Sequence, residues 1–339
     1  MCSSDLEMSI AEQYSNGLQG YIPDPKVDKE FESYLRETAQ YAYAGDAIDD
    51  YGLREVGKDV VSLPYLAALE MYPDCLPGGS QQNGSCVAWA TRNALMVSFC
   101  AYLKYGANSE KYAAPVVSPV ASQNGAFSQE AIYWYRRHAG DGWQGSAAAK
   151  VVTTECGLVP RQKYDELGID LTTYDKRTEV RYGLSVPPEN IRTAFSVHLC
   201  GSATVCKGWE QVRSMVASGY ALQTCGMEAF KFQRDAFGVA PRDWFDRWAH
   251  AMAVIGVDDR PEIRKRYSKD GASGLVLVQN SWGSVNTGPD VVFGTPHKIP
   301  HGSFWARWED FKDRYIVALG PSKGWAAMKL PNWGSEGIL

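Results

Sequence analysis

The chain has 339 residues, 45% of them hydrophobic, and a formal net charge of −5. That length accommodates one large domain or two modest ones with a substantial core. The mild acidity gives no electrostatic reason to expect nucleic acid or an anionic membrane as a partner. No run of 18 or more apolar residues occurs, so no transmembrane helix is expected. The eight cysteines are Cys2, Cys75, Cys86, Cys100, Cys156, Cys200, Cys206 and Cys225, with no Cys-x-x-Cys among them. A structural zinc site is therefore not expected, nor any other cofactor. Free buried thiols are the expectation, with Cys200 and Cys206 the pair spaced to close a loop in an oxidising compartment.

Residues 1–6, Met-Cys-Ser-Ser-Asp-Leu, read as a common sequencing-adapter string translated from a GTG start. The expectation is an assembly artefact with the native start upstream, so nothing follows about a signal peptide or a compartment. Residues 7–25 are polar and end in Tyr-Ile-Pro-Asp-Pro, an arm or linker. Helical periodicity runs over 26–44 through Phe31, Tyr34, Leu35 and Ala39. Residues 60–72 predict a short helix ending before Pro73, and 76–84 a loop.

A long helix is predicted over 85–105, with Trp89, Leu95, Met96, Phe99 and Leu103 inward, Arg92 on a wetter face and Gly106 as the stop. Further helices are predicted over 128–139 and 146–155. After about residue 180 the pattern changes. Helices at 189–198 and 209–218 accompany apolar strands at 220–226, 250–258, 274–280 and 315–319. The fold class is α+β, a helical lobe followed by a mostly β lobe with a cleft between them.

Three stretches carry candidate chemistry. Cys86, in Gly-Ser-Cys-Val-Ala-Trp-Ala, stands where a loop becomes a helix. There a thiolate faces unpaired backbone N–H groups and the positive end of the helix dipole. His250 opens the apolar strand Ala-Met-Ala-Val-Ile-Gly-Val, leaving the imidazole at its end. Asn280 follows the apolar run 275–278, where its side-chain oxygen can orient an imidazole, and Trp282 can shield that bond from water. The other histidines are poorer bases, and Pro300 denies His297 and His301 a helix on which to share a metal. Each residue alone has a bland reading: a buried thiol, a core histidine, a turn asparagine. In the order Cys, His, Asn they supply a nucleophile, a base and a group that orients the base.

With these motifs the chain resembles the papain-like cysteine peptidases. Asn280-Ser281-Trp282-Gly283 matches the family's Asn-Ser-Trp-Gly letter for letter, and Ala-His-Ala-Met-Ala-Val-Ile-Gly-Val is similar to its histidine strand. Gly84-Ser85-Cys86 is similar to its nucleophile signature. The resemblance covers roughly 76–308. It implies a two-lobe fold, with Cys86 on the helical lobe and His250 and Asn280 on an antiparallel β lobe. It also implies a polypeptide substrate. The segment Gly142-Trp143-Gln144-Gly145-Ser146 resembles the family's substrate-pairing turn, which points to Gly145 and Ser146 as backbone partners of substrate.

Departures are present. Val87 and Asn83 stand where the family has an aromatic and a cysteine. The oxyanion glutamine six residues before the nucleophile is Ser80 here, so a shortened loop would have to bring Gln81 or Gln82 into that role. His250 lies 164 residues after Cys86 and Asn280 a further 30, so loops are inserted in the second lobe, such as 259–273.

The expected organisation is an N-terminal extension at 1–75, a peptidase domain at 76–325 with lobes at about 76–180 and 181–325, and a tail at 326–339. The extension lacks the look of the family's inhibitory prosegment; a removable inhibitor, a clamp on the body and part of a longer, truncated protein are all open. The leading expectation is a cysteine endopeptidase or related amide hydrolase. The alternative is the same fold kept as a binding or structural module with weak or absent catalysis.

Overall fold

The computed structural model describes residues 18–73, 80–107, 125–283 and 288–334. The expectations for residues 1–17, for Cys75, and for positions 76–79 of the 76–84 loop lie outside these residues. Helices in chain order are α1 (Pro25–Glu37), α2 (Ala44–Asp50), α3 (Tyr65–Met71), α4 (Cys86–Tyr105), α5 (Gln129–Tyr133), α6 (Gly145–Thr154), α7 (Lys176–Gly183), α8 (Glu189–Phe195), α9 (Trp209–Ala217), α10 (Pro261–Tyr267) and α11 (Trp308–Phe311). The strands are β1 (Val61–Ser62), β2 (Lys163–Tyr164), β3 (Ile169–Asp170), β4 (Ser202–Val205), β5 (Leu222–Phe230), β6 (Val239–Ala240), β7 (Arg242–Asp258), β8 (Leu275–Gln279), β9 (Ser303–Arg307) and β10 (Tyr315–Gly320).

The main sheet runs β4-β10-β5-β7-β8-β9-β6, with β1 beside β7. Its pairs are antiparallel except β6 with β9. This is the expected α+β architecture. Cys86 opens the central helix of one lobe, while His250 lies within β7 and Asn280 just beyond β8 in the other. A buried Arg161–Glu130 ion pair at 2.9 Å fastens the helical lobe, and Gln129 Oε1 and the Leu171 carbonyl accept further guanidinium donors. Those extra bonds compensate the desolvated charges.

Several sequence expectations need correction. The 26–44 helix stops at Glu37, because Ala39 turns left-handed at φ 55° and Ala44 begins a separate helix. Its start is sharp: Pro25 sits in the first turn and the Asp24 carboxylate accepts from the Lys26 and Val27 amides. Residues 60–72 are not one helix, since Val61 and Ser62 pair with β7 before α3 begins. Arg92 is on no wet face. Helix α4 is buried without a break from Cys86 to Ala101, and the Arg92 guanidinium lies 5.0 Å from the Trp89 ring centre. The 128–139 helix is shorter, with α5 passing into a 3-10 turn at Trp134–Arg136. His198 is outside α8, at φ 47°. The histidine strand begins eight residues earlier than its apolar run, at Arg242, and the 259–273 insertion carries α10. Cys200 and Cys206 are both free and buried.

Candidate active site

Helix α4 has no side-chain cap at its start. Ser85 occupies the capping position, but its hydroxyl donates to Glu179 Oε2 at 2.9 Å. The Ala88 N–H is taken by the Ser85 carbonyl at 2.9 Å, while the Val87 N–H faces the Cys86 sulfur. Cys86 Sγ accepts from the Ala251 amide at 3.4 Å across the lobe boundary. One residue earlier on β7, His250 Nε2–H donates to Asn280 Oδ1 at 2.7 Å, and the same oxygen accepts the Ser281 amide at 2.7 Å. That bond assigns the ring proton to Nε2 and leaves Nδ1 as the basic nitrogen. Nδ1 is buried and has no hydrogen-bond partner among the described residues. Trp282 lies against the imidazole with ring centroids 4.6 Å apart, and Trp248 meets Trp282 edge-on at 4.9 Å.

The two glutamines differ sharply. Gln81 is buried, and its Nε2 donates to the Leu18 carbonyl at 2.7 Å and to the Asn83 carbonyl at 2.8 Å. Its Oε1 accepts from the Ser281 hydroxyl, and its amide donates to the Ser281 carbonyl at 2.8 Å. Gln82 is exposed, and its backbone N–H donates to the Tyr174 hydroxyl. The nucleophile loop is thus stitched to the Asn280–Trp282 segment by Gln81, while Tyr174 and Ser85 share one carboxylate oxygen of Glu179.

Residues 18–22 lie in the cleft. The Gly20 and Tyr21 amides both donate to the Ala249 carbonyl at 2.9 Å, and Gln19 Oε1 accepts the Ala249 amide at 2.9 Å. On the opposite wall the Trp143 amide donates to the Gly20 carbonyl at 2.7 Å, and the Ile22 amide to the Trp143 carbonyl at 2.9 Å, a parallel bridge. The strap fits because Gly20 has no side chain: a Cβ there would meet the Gly84 carbonyl oxygen at 1.9 Å. Beyond it, α1 docks on α6 through Ser146 Oγ donating to Asp28 Oδ1 at 2.6 Å. Of the residues assigned to the substrate turn, neither Gly145 nor Ser146 pairs with the strap by backbone. The Gly145 carbonyl is taken by Gln223 Nε2 at 3.0 Å and both residues start α6, so the free edge is Trp143.

Burial sets the ionisation of Cys86 and His250. Burial pushes the Cys86 thiol up to about 12, against the backbone N–H groups of Ala251, Gly20 and Val87. Burial pulls His250 down to about 3, opposed by its bond to Asn280. In this closed state the pair is a neutral thiol and a neutral imidazole. Sequence reasoning missed the strap, whose one local signal is a glycine two residues before Ile-Pro-Asp-Pro.

Among the described residues no cluster of three or more His, Cys, Asp or Glu could hold a metal ion, and no helix is long and apolar enough to cross a membrane.

The fold is that of the papain-like cysteine proteases. Xylellain, a cysteine protease from Xylella fastidiosa, overlaps 90% of this chain and 97% of its own at 16% identity, with a TM-score of 0.53. Two further solved structures overlap at TM-scores too low to bear on the argument. The clostridial cysteine protease Cwp84 after propeptide cleavage has 17% identity over 77% of this chain and 57% of its own, at 0.47. The proform of the ragweed pollen protease Amb a 11 has 16% identity over 92% and 77%, at 0.45. No protein-family model and no curated protein sequence matches the chain.

Proposed function

We propose that this protein is a cysteine peptidase or closely related amide hydrolase, held latent by its own residues 18–22. The observation that carries the proposal is the pairing of His250 Nε2 with Asn280 at 2.7 Å beside Cys86, with the Gln81 amide already donating to a main-chain carbonyl at 2.7 Å. With the cleft open, Cys86 passes its proton to His250 Nδ1, and the sulfur attacks the carbonyl carbon of a polypeptide. The carbonyl π electrons move to oxygen, which Gln81 Nε2–H and the Cys86 N–H stabilise. Collapse breaks the C–N bond as His250 protonates the leaving amine. His250 then deprotonates a water that cleaves the thioester, or an amine acceptor intercepts it. Asn280 holds the imidazole throughout, and Trp282 keeps water from their bond.

Latency follows from where the strap runs. Its Gly20 amide bonds the Ala249 carbonyl at 2.9 Å and its Gly20 carbonyl the Trp143 amide at 2.7 Å, so main chain held at both walls fills the cleft where Cys86 is buried. The reading of 1–75 as an inhibitory or clamping extension rests on these contacts.

Labelling with an epoxysuccinyl peptide, read by intact mass, tests the proposal. The expected result is slow single-site labelling of the wild-type chain, fast labelling of Gly20→Val and none of Cys86→Ala. The buried, neutral catalytic pair favours one rival, a binding module on this fold. A folded Gly20→Val chain that takes up no label would establish that rival instead.

A further inference from the structure

Strands β5 and β7 are in register from Leu222 opposite Val254 to Gly226 opposite His250, and then the register breaks. Glu228 lies opposite Arg247, whereas the next residue, Ala229, lies opposite Asp243. Trp244, Phe245 and Asp246 are therefore extra residues that bulge from β7. Phe245 is 98% exposed and Trp244 70%, the two most exposed large hydrophobic side chains among the described residues. Two exposed aromatics at one tip mark a contact surface.

The bulge is tied to the site. Asp246 Oδ2 accepts from Trp248 Nε1 at 2.9 Å, and Trp248 meets Trp282, which lies on His250. Phe232, itself partly exposed, packs on Trp248 at 6.0 Å, and the Arg242 guanidinium sits 4.2 Å from the Trp244 ring centre. Ring contacts thus run from the imidazole through Trp282 and Trp248 to Phe232, and the Asp246–Trp248 hydrogen bond joins that row to the bulge. Chemistry fixes which part of a substrate would meet it. The leaving amine takes its proton from His250, so the departing chain lies on the His250–Trp282 side, away from the Trp143 wall. The charges on the bulge, Arg242, Asp243, Asp246 and Arg247, cancel, which gives an anionic bilayer no hold.

We propose that Trp244 and Phe245 bind an apolar side chain of the polypeptide substrate on the C-terminal side of the scissile bond. The proposal rests on the peptidase reading. The test uses full chains carrying Gly20→Val and two substrates. One is an internally quenched peptide with apolar residues beyond the scissile bond; the other is a short peptidyl coumarylamide that ends there. Trp244→Ser with Phe245→Ser should lower kcat/KM on the quenched peptide by about tenfold, mainly through KM, and leave the coumarylamide within about twofold. Phe245→Asp should shift preference at that position toward Lys and Arg.

Equal effects on both substrates, or no effect on either, would overturn the proposal. So would loss of binding to anionic vesicles by the serine variant with peptide kinetics unchanged. A folded Gly20→Val chain that turns over neither substrate would instead remove the peptidase reading, and this inference with it.

Discussion

The Gln81 amide nitrogen bonds two carbonyls, one of its own loop and one of the strap. An amide so placed is oriented before any substrate arrives, which is the condition for oxyanion stabilisation without reorganisation. Gln81→Ala should therefore lower kcat by about 10²–10³ with little change in KM, while Gln82→Ala should stay within about twofold. Steady-state kinetics of both variants in the Gly20→Val chain would check this. Equal losses would mean that the loop rearranges when the strap leaves. The residue types of the site were legible because each sits in a short motif whose neighbours dictate its geometry: an apolar strand for His250, a turn for Asn280, a helix start for Cys86. Gln81 and Gln82 were not separable that way. What distinguishes them is the Ser281 hydroxyl and carbonyl, 200 residues away in sequence.

At the scale of elements, the strap was illegible for a related reason. Residues 18–22 form no helix and no named strand, and their hydrogen bonds go to Trp143, Ala249 and Gln81, distant in sequence. No periodicity advertises such a segment. The long buried helix α4 was legible as a helix, yet its burial on all sides hid which face Arg92 takes. Since the strap depends on glycine at one close approach, a single methyl-bearing side chain should dislodge it. Gly20→Val should raise the epoxide labelling rate of Cys86 by at least about tenfold without altering α4 or the sheet. Opening also rehydrates Cys86 and His250. The His250 imidazole, held neutral down to about pH 3 in the closed state, should then titrate at a clearly higher pH. Its ring-proton chemical shifts across a pH series, wild type against Gly20→Val, read this directly; coincident titration curves would show that the strap does not govern the site's ionisation.

Across the whole molecule, two fully buried groups pull stability in opposite directions with pH. Glu179 is raised from 4.5 to about 8 by burial and then by the charge of Glu130, against hydrogen bonds from Tyr174 and Ser85. His250 is lowered from 6.5 to about 3. Below pH 4.5 the unfolded chain binds the extra proton, on His250, so stability rises with pH. From 4.5 to 6.5 the unfolded chain carries the proton on His250 and the folded chain carries one on Glu179, and the two slopes cancel. From 6.5 to 8 only the folded chain keeps a proton, on Glu179, and stability falls. Each limb has a slope of about 1.4 kcal/mol per pH unit. The expected profile is a plateau between pH 4.5 and 6.5 flanked by two declines. Glu179→Gln should abolish the alkaline decline and extend the acid rise up to pH 6.5, and His250→Gln should abolish the acid decline and extend the alkaline fall down to pH 4.5, as read from urea midpoints between pH 3.5 and 8.5. Because Glu179 lies in the helical lobe and His250 in the β lobe, cancellation of the two slopes on the plateau requires both lobes to unfold in one transition. A biphasic urea curve in either variant would mean that the lobes unfold separately, and that the cleft is a hinge between two units of unequal stability.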